Sequence, residues 1–259
     1  MSTPVMTQVD RPVGDDVQQY SKGAIFGVFA AVTVTMSALG WGLAPRLADH
    51  LSTRDPFIDS LLICFDVGLV LMLVLVAVLV RRERGSLSWP DVRDGFRLRA
   101  PQSPKTGKRG GRVWWWVVPF TLLSAAINAL GIDPDGPLPR DLPLALHTQR
   151  IADYFHANWW GFALLVANAL LAPIVEEIVF RGFLLPRSQK AFGRGDIWVN
   201  GAMFTLYHLH QPWSMPEVLL DGTFSAAYPS RRFRSTWIAL ASHTAPSFLI
   251  IAVVLFMVI

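Results

Sequence analysis

The run LLAPIVEEIVFRGFLL, from Leu170 to Leu185, holds Glu176, Glu177 and Arg181 among residues that are otherwise apolar or small. A charge near the centre of a membrane span costs roughly 2.5–3.5 kcal/mol even on lenient insertion scales. Three such groups must therefore pair with one another or face a polar interior. Glu177 and Arg181 are four residues apart, on one helix face, where an ion pair can form. Glu176 points about 100° away around the same helix. One carboxylate can then be neutralised structurally while its neighbour stays available for chemistry. A buried polar network that only fixes helix packing would use the same three residues, so this stretch alone leaves both roles open.

The rest of the chain suits a membrane setting. Its 259 residues are 52% hydrophobic and 16% charged, against about 25% charged in a typical soluble domain, and the mean hydropathy is +0.38. That excludes a disordered chain and argues against a soluble enzyme. Cys64, the single cysteine, excludes an internal disulfide framework and any multi-cysteine metal site. Runs of about 20 apolar residues are needed to cross the hydrocarbon core. Candidates fall at 23–44, 57–80, 112–131, 159–185, 197–210, 216–228 and 236–259, so the expected fold is an all-α polytopic bundle of about seven transmembrane helices. The fifth and sixth stretches are short and weakly hydrophobic, which predicts a place inside the bundle. Acidic residues precede the first run, which is also too long for a cleaved leader, so it is expected to be a retained span.

Basic residues set the orientation. Ten of them lie between 81 and 112. With that loop in the cytoplasm, alternation puts eighteen of the 23 Lys and Arg inside, Arg187 and Arg231 among them, with the N-terminus cytoplasmic. The pI of 9.6 is thereby explained without nucleic acid. The loop reads as a flexible connector able to touch anionic headgroups, and 132–157 as an outer loop. The organisation expected is a tail at 1–22, helices and the basic loop at 23–158, and a core at 159–259.

Two further stretches place polar groups where lipid should exclude them. Phe204 and His208 are one turn apart in the fifth, and His243 and Ser247 one turn apart in the last. At 1.5 Å rise per residue, Glu176, His208 and His243 lie about 16, 18 and 12 Å from the cytoplasmic ends of their helices. Their depths agree, as a shared site requires. Pro173 and Pro246 each free a carbonyl one turn earlier, a break that membrane helices tolerate when it is buried or lines a cavity.

A Glu-Glu-x-x-x-Arg motif, then Phe-x-x-x-His, then His followed four residues later by a small polar residue, resembles the CPBP family, also called Abi, which includes the type II CAAX prenyl endopeptidases. The resemblance covers roughly 159–259. It implies an intramembrane endopeptidase acting near the C-terminus of membrane-associated, often prenylated, peptides. It also implies roles for the residues. Glu176 would activate water with His208 helping to hold it, Glu177 and Arg181 would orient that carboxylate, and His243 and Ser247 would stabilise the oxyanion. Asparagine is usual at the last position, and a serine hydroxyl has a shorter reach.

Glu176, His208 and His243 could also supply a catalytic zinc ion. No HExxH motif is present, and the same residues serve a metal-free glutamate mechanism. The partners expected are a peptide substrate and the bilayer of the plasma membrane. A non-catalytic bacteriocin-immunity or scaffold protein is the alternative, and a proton-coupled transporter a more distant one. Elsewhere, Asp66 is expected to pair with a neighbouring helix, and Asn128 and Asn168 to bond between helices. His210 is expected to face away from His208, and Cys64 to fill a packing site.

Overall fold

A computed structural model describes residues 17–129, 148–212 and 215–259; the side chains of 129 and 148–151 are not described. The described residues are all-helical, apart from one isolated bridge between Gln102 and Arg109. Among the described residues, four helical stretches are long and apolar enough to cross a membrane: Lys22–Ala48, Pro56–Arg84, Trp159–His210 and Trp237–Val258. Trp89, Trp115, Trp159 and Trp198 are exposed near helix ends, as an interfacial aromatic belt requires. The chain is an all-α integral membrane protein.

The sequence fixes these helix ends chemically. Helix α1 (Lys22–Ser37) starts on Ser21, whose hydroxyl accepts from the Ala24 N–H at 3.2 Å. A π-helical segment (Ala38–Leu43) continues it into α2 (Ala44–Ala48). Helix α3 (Pro56–Arg84) begins with Asp55 accepting from Ile58 N–H at 3.2 Å and Pro56 in its first turn, and stops at Gly85 in the left-handed region. α1 and α3 meet closely at Gly68, where an added Cβ would come within 2.9 Å of the Met36 sulfur.

The basic loop is structured. Helix α4 (Trp89–Gly95) and a hairpin closed by the Gln102–Arg109 bridge dock against the residues that precede the last helix. The Gln102 N–H donates to Phe233 O at 2.8 Å, Ser235 Oγ to Arg99 O at 2.6 Å and Thr236 Oγ1 to Phe96 O at 2.8 Å. Arg99 and Arg93 hold the Asp94 carboxyl well below the usual carboxylate range. A flexible connector was the wrong expectation, because these bonds join residues about 130 positions apart.

The described part of the 112–131 stretch is a 3₁₀ turn, Gly111–Trp116, followed by α5 (Val117–Ala129). Residues 130–147, most of the expected outer loop, lie outside the described residues. The remainder of that loop contains α6 (Thr148–Phe155), where the Tyr154 hydroxyl donates to the buried Asp59 carboxylate on α3. Next come α7 (Trp159–Glu177), a π-helical segment (Ile178–Leu184) and α8 (Leu185–Phe192). At Gly193, which has positive φ, the chain turns back into α9 (Asp196–Tyr207). α10 (Met215–Leu220), the second π-helical segment of the C-terminal half (Asp221–Ala227) and α11 (Tyr228–Phe233) lead to α12 (Trp237–Val258). Helix α7 packs between α3 and α12, while α9 packs on α8 and the second π segment.

Arg187, one of the residues counted as cytoplasmic, is a helix residue of α8. It is fully buried, donates to Glu83 at 2.5 Å and to the Gly95 and Phe183 carbonyls at 3.0 Å, and lies over the Phe183 ring. The Tyr20 hydroxyl donates to the same Glu83 carboxylate at 2.5 Å, and burial followed by that carboxylate pushes the phenol up to about 12. The start of the first span, α3, α4 and α8 are tied together at this one point.

Candidate active site

Four elements meet at one buried centre: the C-terminal end of α7 with the π segment after it, the end of α9, the start of the second π segment, and α12. Glu176 and Glu177 are the last two residues of α7, and both are buried. Glu177 accepts from Arg181 Nη1 at 2.9 Å, the ion pair that the four-residue spacing allows. Arg181 also donates from Nη2 to the Gly222 carbonyl at 2.8 Å and stacks on Phe204, 4.0 Å from the ring centroid. Its guanidinium thus joins three elements. Wider helical turns of the π type recur at functional sites, and both such segments of the C-terminal half supply groups to this centre.

Glu176 faces the two histidines. His208 Nε2 lies 4.0 Å from one carboxylate oxygen, and His243 Nε2 lies 4.0 Å from the other. The opposite nitrogen of each ring is engaged. His208 Nδ1 stands 2.8 Å from the Phe204 carbonyl, where it can only donate, and His243 Nδ1 donates to Glu177 at 3.0 Å. The Phe204 ring packs edge-on against both imidazoles. Ser247 is buried on α12 one turn beyond His243. The structure therefore brings Glu176, Glu177, Arg181, His208 and His243 together, with Ser247 on the adjoining turn.

Some expectations are corrected here. Helix α9 ends at Tyr207, and His208–His210 form a 3₁₀ turn. The rings of His208 and His210 consequently stack at 5.5 Å rather than facing apart. Asn128 bonds within its own helix, to Ser124 O at 2.8 Å, whereas Asn168 does reach across to Asp66 at 3.0 Å.

Three residues of the centre were missed from the sequence. Tyr207 is fully buried with its hydroxyl within electrostatic reach of Glu176, and Asp221 is buried within such reach of Arg181 and His243. Gly222 lends its carbonyl and its lack of a side chain, since an added Cβ would meet Phe204 at 2.6 Å. An acid well inside the short sixth stretch, four residues beyond Glu217, was the available signal for Asp221.

A zinc ion would need three of these donors to converge at roughly 2 Å from one point. Among the described residues, no group of three His, Cys, Asp or Glu side chains is placed to hold a metal ion. The residues as they stand do not fit such an ion.

An all-helical membrane bundle with a buried Glu–His–His centre is the class defined so far. Residues 158–249 match the family model described as Type II CAAX prenyl endopeptidase Rce1-like, and the resemblance read from the three motifs is borne out over this segment. No curated protein and no solved structure matches the chain.

Proposed function

We propose that this chain is an intramembrane endopeptidase in which Glu176 activates water against a membrane-associated peptide. The observation that carries this reading is the pair of 4.0 Å separations from the Glu176 carboxylate to His208 Nε2 and His243 Nε2. They are too long for direct hydrogen bonds and suit a water bonded to all three groups. A packing network pairs its buried charges, as Arg181 and Glu177 are paired, whereas the Glu176 carboxylate stands 4.0 Å off both histidines, which favours the enzyme over the immunity or scaffold alternative.

In the reaction, Glu176 takes one proton from the water while His208 Nε2 accepts the other O–H as a hydrogen bond. The hydroxide attacks the scissile carbonyl carbon. His243, held by Glu177 through Nδ1, donates from Nε2 to the resulting oxyanion, with the Ser247 hydroxyl as a second donor. Glu176 then returns its proton to the departing amine as the C–N bond breaks. Fixed donors of this kind contribute about 3 kcal/mol each to the transition state. No step needs a metal.

His243 keeps 26% of its side chain exposed, against 8% for Glu176, so a substrate approaches from the α12 side. On the same two helices an apolar cavity of about 550 Å³ is lined by Ile174 and Ile178 of α7 and its π extension and by Leu240, Ala241, Thr244 and Phe248 of α12, with no residue of the Glu176 centre in its walls. Such a groove suits the lipid-embedded part of a substrate. The full reading includes about seven spans, a cytoplasmic N-terminus and residence in the plasma membrane. Mass-spectrometric detection of cut products from a panel of C-terminal-motif peptides tests the activity. Wild type cuts at least one peptide and Glu176→Ala cuts none; equal cutting by both removes Glu176 from the reaction.

A further inference from the structure

The hairpin of the basic loop and the end of α11 line a second, polar cavity of about 390 Å³, on the side that the distribution of basic residues makes cytoplasmic. Its walls carry Gln102 and Ser103 from the hairpin and Arg231, Arg232 and Arg234 from α11, with no acidic side chain among its lining residues. The hairpin wall and Arg231 are fixed. Gln102 N–H donates to Phe233 O at 2.8 Å, between two of the arginines, and Gln102 Nε2 donates to Gly107 O at 2.9 Å across the hairpin. Arg231 is itself held by the buried Asp196 at 2.7 Å. The hairpin wall and Arg231 are thus preformed, and Arg232 and Arg234 stand exposed at the rim.

Its depth is set by aromatic residues. Trp237, the first residue of the membrane-spanning α12, follows Arg234 by three positions and is part-exposed. Trp116 packs on Phe233 with ring centroids 5.6 Å apart. Tryptophans mark the level of the headgroups, so the arginines stand in that layer with their guanidinium groups able to bind phosphate oxygens bidentately. Basic pockets beside transmembrane helices on the cytoplasmic side are suited to anionic headgroups. We propose that the cavity between the 102–109 hairpin and Arg231–Arg234 binds the headgroup phosphate of an anionic phospholipid. It is separate from the Glu176 centre and stands whether or not that centre is catalytic.

The test titrates the purified full chain in detergent with phosphatidylglycerol, and separately with phosphatidylcholine of the same acyl chains, and follows bound lipid by native mass spectrometry. Arg232→Gln combined with Arg234→Asn removes two cavity charges while leaving the Arg231–Asp196 pair intact; asparagine tolerates the positive φ at 234. Phosphatidylglycerol is expected to bind more tightly than phosphatidylcholine, and the double variant to weaken that binding on the order of tenfold. A control pair outside the cavity, Arg82→Gln with Lys190→Gln, is expected to change it less than about twofold. Equal binding of the two lipids, or equal weakening by the control pair, overturns the proposal. Displacement of phosphatidylglycerol by an equal concentration of inorganic phosphate overturns the lipid as the source of the phosphate.

Discussion

Replacing Arg181 by methionine isolates the ion pair on which the buried centre is built. The guanidinium and the Glu177 carboxylate are each at most 1% exposed, so neither can recover its hydration in place. Removing one partner of a buried pair costs about 3–5 kcal/mol, mostly from the charge left behind. Here the Gly222 carbonyl also loses its donor. Glu177 keeps the N–H of His243 at 3.0 Å, which offsets part of the loss. The expected cost is therefore about 3 kcal/mol, or roughly 6–12 °C in the melting temperature of a chain this size. Thermal unfolding in one fixed detergent reads it. Glu177→Gln in the same chain removes the orphaned charge, so the double variant should regain at least half of that loss. A fall of less than about 2 °C in Arg181→Met, or a double variant no more stable than the single, would refute the reasoning.

Three other outcomes follow from the same geometry. The Asp94 carboxyl is held below its ordinary value by Arg99 and Arg93, so its stabilisation of the docked basic loop is complete above the unfolded pKa of about 4 and is lost as pH falls below it. The melting-temperature gap between wild type and Asp94→Asn should stay constant from about pH 8 to pH 5 and narrow below about pH 4. A Cβ on Gly201 would run into Thr223 Oγ1, so Gly201→Ala should destabilise by about 1–3 kcal/mol in a melting assay, and adding Thr223→Ala should restore most of it. At the oxyanion, Ser247→Ala should slow cleavage on the order of a hundredfold with little change in KM, whereas Ser247→Asn, with its longer donor, should cleave at least as fast as wild type.

Much of the site was legible because the membrane makes polar residues conspicuous. Glu176, Glu177, Arg181, His208 and His243 stand out against apolar runs, and their equal depths follow from helix rise alone. Tyr207 and Asp221 were not legible, because the stretches that carry them are short and already weakly hydrophobic. The stacking of His208 on His210 depends on α9 ending at Tyr207, and no proline or glycine in the sequence announces that end. Nor do the π-helical segments have a propensity signature of their own. The burial of Arg187 was not legible because a charge count cannot see Glu83, which reaches it from α3. The order of the basic loop likewise rests on partners at 233–236, too distant in sequence for local composition to reveal.

The central claim is that Glu176 activates the attacking water without a metal. Initial rates of peptide cleavage by folded wild type and Glu176→Gln, each with and without a strong chelator, test it most directly. The account predicts that wild type keeps its rate in chelator and that Glu176→Gln falls by at least about a hundredfold in either condition. Wild-type activity abolished by chelator and restored by zinc would contradict it.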